Sequence, residues 1–186
     1  ARRSGACWRP DAPGAAGAFI VKQDGVEVPY QVEEIGGKNW IWVCADFEPG
    51  ASHKYEVIAG QRRAAQPRVR VKKDGDCYLL DNGVVAVKVP AEGQAGKLDL
   101  QGPITAVKLG DKWVGGSFWK TALSLKKFTA TVVGDGTLFA KVRLRYDFDG
   151  KAGLDPDLPA FAQLDIALGP GWSHAEVFEK HAMARG

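Results

Sequence analysis

Four side chains near one end of the sequence form its densest group of acid, base or metal-binding residues: His174, Glu176, Glu179 and His181. If this segment is a strand, its side chains alternate between two faces, so His174 and Glu176 share one face while Glu179 and His181 share the other. Convergence of all four on one metal ion would then require a bulge. His174 and Glu176 are therefore the candidates for proton transfer, which needs a pocket, and the alternative is a charged face in solvent.

A second acidic group surrounds a predicted loop and consists of Asp147, Asp149, Asp155 and Asp157. Carboxylates on a flexible loop are the ligands that Ca²⁺ prefers. The glycine of this segment does not stand where a helix–loop–helix calcium site needs it, and carboxylates are also ordinary turn formers. Calcium is thus the one cofactor that the sequence suggests, and the alternative is a solvated loop.

Six tryptophans are many for a chain of 186 residues. Tryptophan rings stack on sugar faces or anchor interfaces because they offer a large rigid apolar area with one hydrogen-bond donor. Trp113, Trp119 and Trp172 lie near turn glycines, and these are the three that we expect to be exposed. Trp40 and Trp42 are two residues apart, so as part of a strand they point to the same face, which we expect to be a core face.

Six cations lie between positions 62 and 73, on either side of Pro67. The run Arg68-Val-Arg-Val-Lys72 alternates cation and valine, so as a strand it has one basic face and one apolar face. Two interpretations stay open. Arg68, Arg70 and Lys72 either form a solvated face that follows a linker, or they contact an acidic glycan or another anionic partner.

The composition is that of a globular protein, with 45% hydrophobic and 25% charged residues and a formal net charge of +3. No apolar run approaches the roughly 18 residues of a membrane-spanning helix. The mild charge does not favour a nucleic-acid partner. The three cysteines are far apart and lack a C-x-x-C pair, which leaves either one disulfide with a free thiol or three thiols.

Short segments that alternate apolar and polar residues follow one another between turn residues, and helical periodicity is nearly absent. Asp24-Gly25 between two such segments predicts a hairpin, and the alternation over 137–148 predicts a strand with one face on a core. We predict an all-β chain with a small β-barrel or sandwich followed by a second antiparallel β-sandwich. The predicted divisions are an N-terminal arm, the small domain and the sandwich, at residues 1–17, 18–66 and 67–186. The arm is expected to be unpaired unless it docks.

Several of these segments resemble known proteins. Three segments resemble the small β-barrel domain that opens exo-acting rhamnogalacturonan lyase-like polysaccharide lyases: Ala18–Val32, Trp40–Phe47 and Pro49–Val57. Similar short sequences occur in the β-domains of alpha-mannosidases. Leu80–Val89 and the segment from Gly102 resemble the start of the galactose-mutarotase-like sandwich that follows in both groups. The resemblance implies a polysaccharide-associated protein outside the cell or in the periplasm. In those lyases catalysis is expected in a helical toroid that this sequence lacks, and the sandwich here is expected to be partial.

Two main hypotheses of function follow. The first is a non-catalytic carbohydrate-associated module that binds or positions a glycan through the three tryptophans and the basic strand: Trp113, Trp119, Trp172, Arg68, Arg70 and Lys72. The second is a self-assembling structural subunit, a filament or oligomer, whose copies exchange a strand through residues 1–17. An enzyme that acts through His174 and Glu176 has the least support, because no motif of a known reaction class is present.

Overall fold

A computed structural model describes residues 3–8, 18–46, 50–61, 69–93, 99–121, 123–152 and 155–182. These residues form seventeen strands and no helix, so the prediction of an all-β chain is confirmed. None of them belongs to a helix long and apolar enough to cross a membrane. The chain divides into two compact units, Ala1–Arg68 with Gly136–Leu138 (unit 1) and Val69–Asp135 with Phe139–Gly186 (unit 2).

Unit 1 is a small sandwich of two three-stranded antiparallel sheets. One sheet has the order β1-β5-β4 and the other the order β3-β2-β6. The strands are β1 (Arg3–Trp8), β2 (Phe19–Gln23), β3 (Val26–Val28), β4 (Tyr30–Ile35), β5 (Lys38–Asp46) and β6 (Tyr55–Ala59). Both sheets contribute to one core, whose buried members are Val21, Tyr30, Ile41 and Val43. Among the described residues neither sheet closes into a barrel, so the observed form is the sandwich.

The predicted hairpin at Asp24-Gly25 is confirmed. Asp24 and Gly25 both have positive φ angles, 51° and 84°, which is the conformation that joins two twisted strands through a two-residue turn. Pro29 separates β3 from β4. Because proline has no N–H to donate, the ladder is interrupted there and the chain passes from one sheet to the other.

The segment expected to be an unpaired arm contributes a strand to unit 1. Residues 3–8 form β1 and pair antiparallel with β5 from Arg3↔Asp46 to Trp8↔Ile41. These residues of the predicted arm are therefore docked as a strand, and residues 9–17 lie outside the described part of the chain. The pairing is made by backbone groups, and the sequence of β1, Arg-Ser-Gly-Ala-Cys-Trp, has no alternating side-chain pattern that would have predicted it.

The two tryptophans of β5 lie on the opposite face from the one predicted. Trp40 and Trp42 share a face, but Ile41 and Val43 are the residues buried in the core, each 2% exposed. Trp40 and Trp42 are half-buried on the other side of the sheet. The prediction was wrong because the run from Trp40 to Cys44 is apolar at nearly every position, so alternation does not select a face.

Polar residues of β4 mark the face that carries these tryptophans. Gln31 lies opposite Trp42 and Glu33 opposite Trp40, and both polar side chains are buried. The Gln31 Oε1 atom accepts a hydrogen bond from the backbone N–H of Leu138 at 3.0 Å. A Cβ atom at Gly136 would lie 2.6 Å from the Gln31 carboxamide, so a larger residue at this position would require that side chain to move.

Unit 2 is a larger sandwich. A five-stranded sheet has the order β12-β11-β9-β8-β7, a four-stranded sheet the order β14-β15-β16-β17, and β10 pairs with β13. The strands are β7 (Arg70–Asp74), β8 (Cys77–Asp81), β9 (Ala86–Pro90), β10 (Asp99–Gln101), β11 (Ala106–Leu109), β12 (Lys112–Val114), β13 (Phe118–Lys120), β14 (Leu125–Asp135), β15 (Ala140–Ala152), β16 (Asp155–Leu168) and β17 (Glu176–Ala182). Both large sheets bury side chains in one core.

Strand β15 shows the predicted alternation. Its core-facing side chains are all at most 2% exposed: Ala140, Val142, Leu144, Tyr146 and Phe148. The side chains between them are half-buried on the opposite face: Lys141, Arg143, Arg145 and Asp147. Full burial of a Val, Leu or Phe side chain stabilises a fold by about 1.5–3 kcal/mol, so this strand is a principal source of the stability of unit 2.

One asparagine links two distant parts of unit 2. The Asn82 Nδ2 atom donates to the carbonyl oxygens of Gly169 at 2.7 Å and Trp172 at 2.8 Å. The Asn82 Oδ1 atom accepts from the backbone N–H groups of Val84 and Val85, both at 2.9 Å. The turn after β8 is thereby tied to the segment that follows β16.

Candidate functional site

The outer face of the five-stranded sheet, which we call the basic face, is the side turned away from the core of unit 2. Directly opposite residues of antiparallel strands lie on the same face, so the register defines two rows that cross the sheet. The first row is Arg70, Asp81, Ala86, Lys108 and Trp113, and the second is Lys72, Leu79, Lys88 and Ala106. Four of these nine positions are cations.

Strand β7 supplies two of the cations. Val69, just before the strand, is fully buried and Val71 packs against the core, while Arg70 and Lys72 are exposed. The predicted division into a basic and an apolar side is thus present at the described positions of this segment. Arg68, the third basic residue named from the sequence, lies outside the described residues.

The basic face extends across five strands. Neighbouring strands lie about 4.8 Å apart, so Arg70 on β7 and Trp113 on β12 are separated by about 19 Å across the sheet. Trp113 is 41% exposed, as predicted. The two residues occupy the same row at opposite edges of the sheet.

Three cations of the basic face have no acidic partner. Arg70, Lys72 and Lys108 make no ion pair with any residue that the structure describes. The nearby Asp81 carboxylate accepts a hydrogen bond from the backbone N–H of Gly83 at 2.8 Å instead. Exposed cations without an ion-pair partner attract carboxylate, sulfate or phosphate groups of a ligand.

The fourth cation, Lys88, is paired. Its Nζ atom lies 2.8 Å from Asp74 Oδ2, and this hydrogen bond raises the pKa of Lys88 above its ordinary value. The same atom lies 4.8 Å from the centre of the Trp113 ring, which is within the range of a cation–π contact. Lys88 therefore contacts the indole ring of Trp113, which remains 41% exposed.

The structure does not place Trp119 and Trp172 on the basic face. Trp119 on β13 packs against the core, with its ring centre 5.3 Å from that of Tyr146 and 6.2 Å from that of Phe148. Burial in this aromatic cluster raises the pKa of the Tyr146 hydroxyl. Trp172 also packs against the core and stacks on His174 with a centre-to-centre distance of 5.6 Å. The expectation that both are exposed was wrong, because turn glycines indicate a chain reversal and not the side to which the ring points.

The candidate acid–base pair is not assembled. Strand β17 begins at Glu176, so His174 lies before the strand and does not share a strand face with Glu176 as predicted. No hydrogen bond or ion pair joins His174 to Glu176 among the described residues. Glu179 and His181 do share a face, with His181 Nδ1 3.1 Å from Glu179 Oε1, and both are exposed.

The acidic segment predicted to be a calcium loop is mostly strand. Asp147 and Asp149 lie in β15, whereas Asp155 and Asp157 lie in β16 with side chains outside the description. The Asp147 carboxylate accepts a hydrogen bond from Arg145 Nε at 2.7 Å. In the described part of the chain no three His, Cys, Asp or Glu side chains converge as a metal site would require.

The cysteines contribute no disulfide that the structure describes. Cys44 is exposed, Cys77 is half-buried, and both are free thiols. The side chain of Cys7 lies outside the description. The Cys77 thiol lies 3.7 Å from Thr105 Oγ1, a weak hydrogen bond on the outer side of the five-stranded sheet.

A polar cluster in unit 1 was missed by the sequence analysis. Asp24 Oδ2 lies 2.8 Å from His53 Nδ1, and Asp24 Oδ1 accepts the backbone N–H of Lys54 at 2.9 Å. The hydrogen bond from Lys54, followed by that from His53, lowers the pKa of Asp24. The turn residue Asp24 was recognised, but its partners lie about thirty positions away, and only the β2–β6 register brings them together. These hydrogen bonds hold the Asp24-Gly25 turn against the segment before β6.

No protein-family model, curated protein or solved structure matches this chain. The resemblance to rhamnogalacturonan lyase-like proteins therefore gains no support from these comparisons. The basic face, with its unpaired cations and exposed indole, remains the surface whose chemistry points most directly to a ligand.

Proposed function

We propose that this chain is a non-catalytic β module that binds an acidic polysaccharide on the basic face. The observation that carries the proposal is the presence, on one side of one sheet, of an exposed indole and three cations without an ion-pair partner among the described residues. Indole rings stack on the apolar sides of sugar rings, and guanidinium and ammonium groups bind carboxylates. The location outside the cell or in the periplasm belongs to the same proposal.

The spacing of the cations favours a polymer over a small anion. Arg70 and Lys108 lie in one row three strands apart, which corresponds to about 14 Å across the sheet. Side chains that bind a single small anion converge on it, whereas these cations are spread over several strands of one sheet. A chain that repeats a carboxylate along its length can meet several of them at once.

Chemistry on the bound polymer is not part of the proposal. The two rows of the basic face contain no histidine, and their one acidic member, Asp81, accepts a hydrogen bond from a turn N–H. The other hypothesis of function, strand exchange through residues 1–17, would require β1 to leave β5.

Titration calorimetry with polygalacturonate tests the proposal, and fully methyl-esterified polygalacturonate is the matched ligand without charge. We expect binding of the acid and at least tenfold weaker binding of the ester, since the ester keeps the sugar rings and removes the carboxylates. Trp113→Ala should weaken binding of the acid about tenfold, the loss that a stacked aromatic typically produces. Phe118→Ala removes an exposed ring from the two-stranded sheet and should change the affinity less than twofold.

Two results would contradict the proposal. Equal affinity for the acid and the ester would show that the cations do not recognise the ligand. An unchanged affinity in Trp113→Ala, together with a loss in Phe118→Ala, would place the binding surface elsewhere. Circular dichroism of each variant shows whether the fold is retained.

A further inference from the structure

The two large sheets of unit 2 end in four edge strands, which differ in the features that discourage pairing with another chain. Strand β7 presents exposed cations, and β12 is only three residues long. Strand β14 pairs with β15 through two register shifts, between Leu125 and Lys127 and between Val132 and Gly134. Cations, short length and bulges are the usual protections of an exposed edge.

Strand β17 is neither short nor bulged, although it carries one exposed lysine, Lys180. It runs for seven residues, contains no proline, and pairs with β16 without a register shift. Val177 and Phe178 are 46% and 54% exposed, and as consecutive residues they point to opposite faces. Both faces of this edge strand therefore present apolar surface to solvent.

From these features we infer that β17 pairs with β17 of a second copy of this chain, antiparallel, about a twofold axis at Phe178. In that register Phe178 lies opposite Phe178 of the second copy. Glu176 lies opposite Lys180 of the second copy, and the symmetry produces this pair twice. The two four-stranded sheets then form one continuous sheet.

Charge selects this register over its neighbours. An axis at Glu179 would place two glutamates opposite each other, and an axis at Lys180 would oppose two lysines, which is destabilising in a cross-strand pair. An axis at Val177 would leave Lys180 opposite a position outside β17. Glu176 and Lys180 make no ion pair with any described residue of their own chain, so both are available to the second copy.

Sedimentation equilibrium of the whole chain over a range of concentrations tests the dimer. We expect the wild-type mass to rise from that of a 20.0 kDa monomer to twice that value. Glu176→Lys should raise the dissociation constant at least tenfold, because it converts two attractive cross-strand pairs into two repulsive ones. Lys180→Glu should act in the same way. The double variant Glu176→Lys with Lys180→Glu restores opposite charges and should return the constant to within about threefold of the wild type.

The matched control is Val132→Lys, which places a charge on the exposed apolar residue of the other edge strand of the same sheet and should leave the mass distribution unchanged. A wild type that stays monomeric at every concentration overturns the inference. A dimer whose constant is unaffected by the single variants, or not restored by the double variant, overturns the register. Each variant is tested on polygalacturonate as well, since failure of dimerisation leaves binding on the basic face untouched.

Discussion

The two outer faces of unit 2 carry similar numbers of cations. The arginines of one face form ion pairs, whereas most cations of the other face do not. On the four-stranded sheet, Arg143 makes two 2.7 Å hydrogen bonds to the Asp165 carboxylate. Arg145 donates to Asp147 and lies 3.6 Å from the centre of the Phe161 ring. On the basic face, by contrast, three of the four cations have no ion pair with a described residue.

This difference separates cations that stabilise the fold from cations that are available to a ligand. Arg143 and Asp165 lie opposite each other on β15 and β16, so the sheet register itself supplies the partner. On the basic face, the residues opposite Lys72 and Lys108 are Leu79, Ala86 and Trp113, none of which is acidic. Arg70 does lie opposite an acidic residue, Asp81, but the Asp81 carboxylate accepts a hydrogen bond from the backbone N–H of Gly83 and makes no ion pair with Arg70. Counting the cations of a surface therefore says little about binding until their partners are known.

The largest expected effect concerns stability. Arg143→Ala should lower the free energy of unfolding of unit 2 by about 2 kcal/mol, because it leaves the mostly buried Asp165 carboxylate without its partner. Arg70→Ala removes the same side chain from the basic face and should change that free energy by less than about 0.5 kcal/mol. Urea denaturation of both variants measures the difference. Equal losses would remove the distinction between the two faces.

The second effect concerns the affinity for polygalacturonate, which should depend on the cations of the basic face and not on those of the four-stranded sheet. The double variant Arg70→Ala with Lys72→Ala should weaken polygalacturonate binding about tenfold, since each exposed charge pair contributes up to about 1 kcal/mol. Its affinity should also depend less on salt, because fewer charge contacts remain to be screened. Lys141→Ala, on the four-stranded sheet, should bind as the wild type does. Titrations at several salt concentrations give both quantities, and weakened binding by Lys141→Ala would contradict the comparison.

The smallest effect concerns Lys88, the one paired cation of the basic face. Its pKa is raised in the folded protein, mainly by the hydrogen bond to Asp74. The stabilisation is therefore complete below the unfolded pKa, near 10.5, and is lost as pH rises through the higher folded pKa. The Tm difference between the wild type and Lys88→Met should accordingly be present at pH 7 and shrink above about pH 10.5.

Asp74→Asn provides the control for the Lys88 prediction. It should reproduce the loss at pH 7, and the double variant should lose no more than either single one, because both remove the same pair. Additive losses would show that Lys88 acts through Trp113 rather than through Asp74.

Local sequence patterns predicted much of this fold. Most of the features that they failed to predict depend on the register between paired strands. The positive φ angles of the Asp24-Gly25 turn and the alternation of β15 follow from neighbouring residues, and both were predicted. Trp40 lies on the same face of the sheet as Glu33 of the neighbouring strand, and no local pattern reveals this pairing. The same reason applies to the site, where exposure of Trp113 was predicted but Lys88 and Lys108 were not named. Their place beside Trp113 exists only once β9, β11 and β12 are aligned.

The four side-chain hydrogen bonds of Asn82 bear on the order in which the parts of unit 2 come together during folding. Within both large sheets of unit 2 the strands follow one another as a meander, with β10 the only interruption among the described strands, so nearly all pairings join strands that are consecutive in the chain. The bonds from Asn82 to Gly169 and Trp172 instead span 87 and 90 positions. Closing so long a stretch of chain has a high entropic cost and is slow unless other contacts come first. Asn82→Ala should therefore accelerate unfolding of unit 2 while leaving its folding rate nearly unchanged. This kinetic behaviour is expected when hydrogen bonds form after the folding transition state.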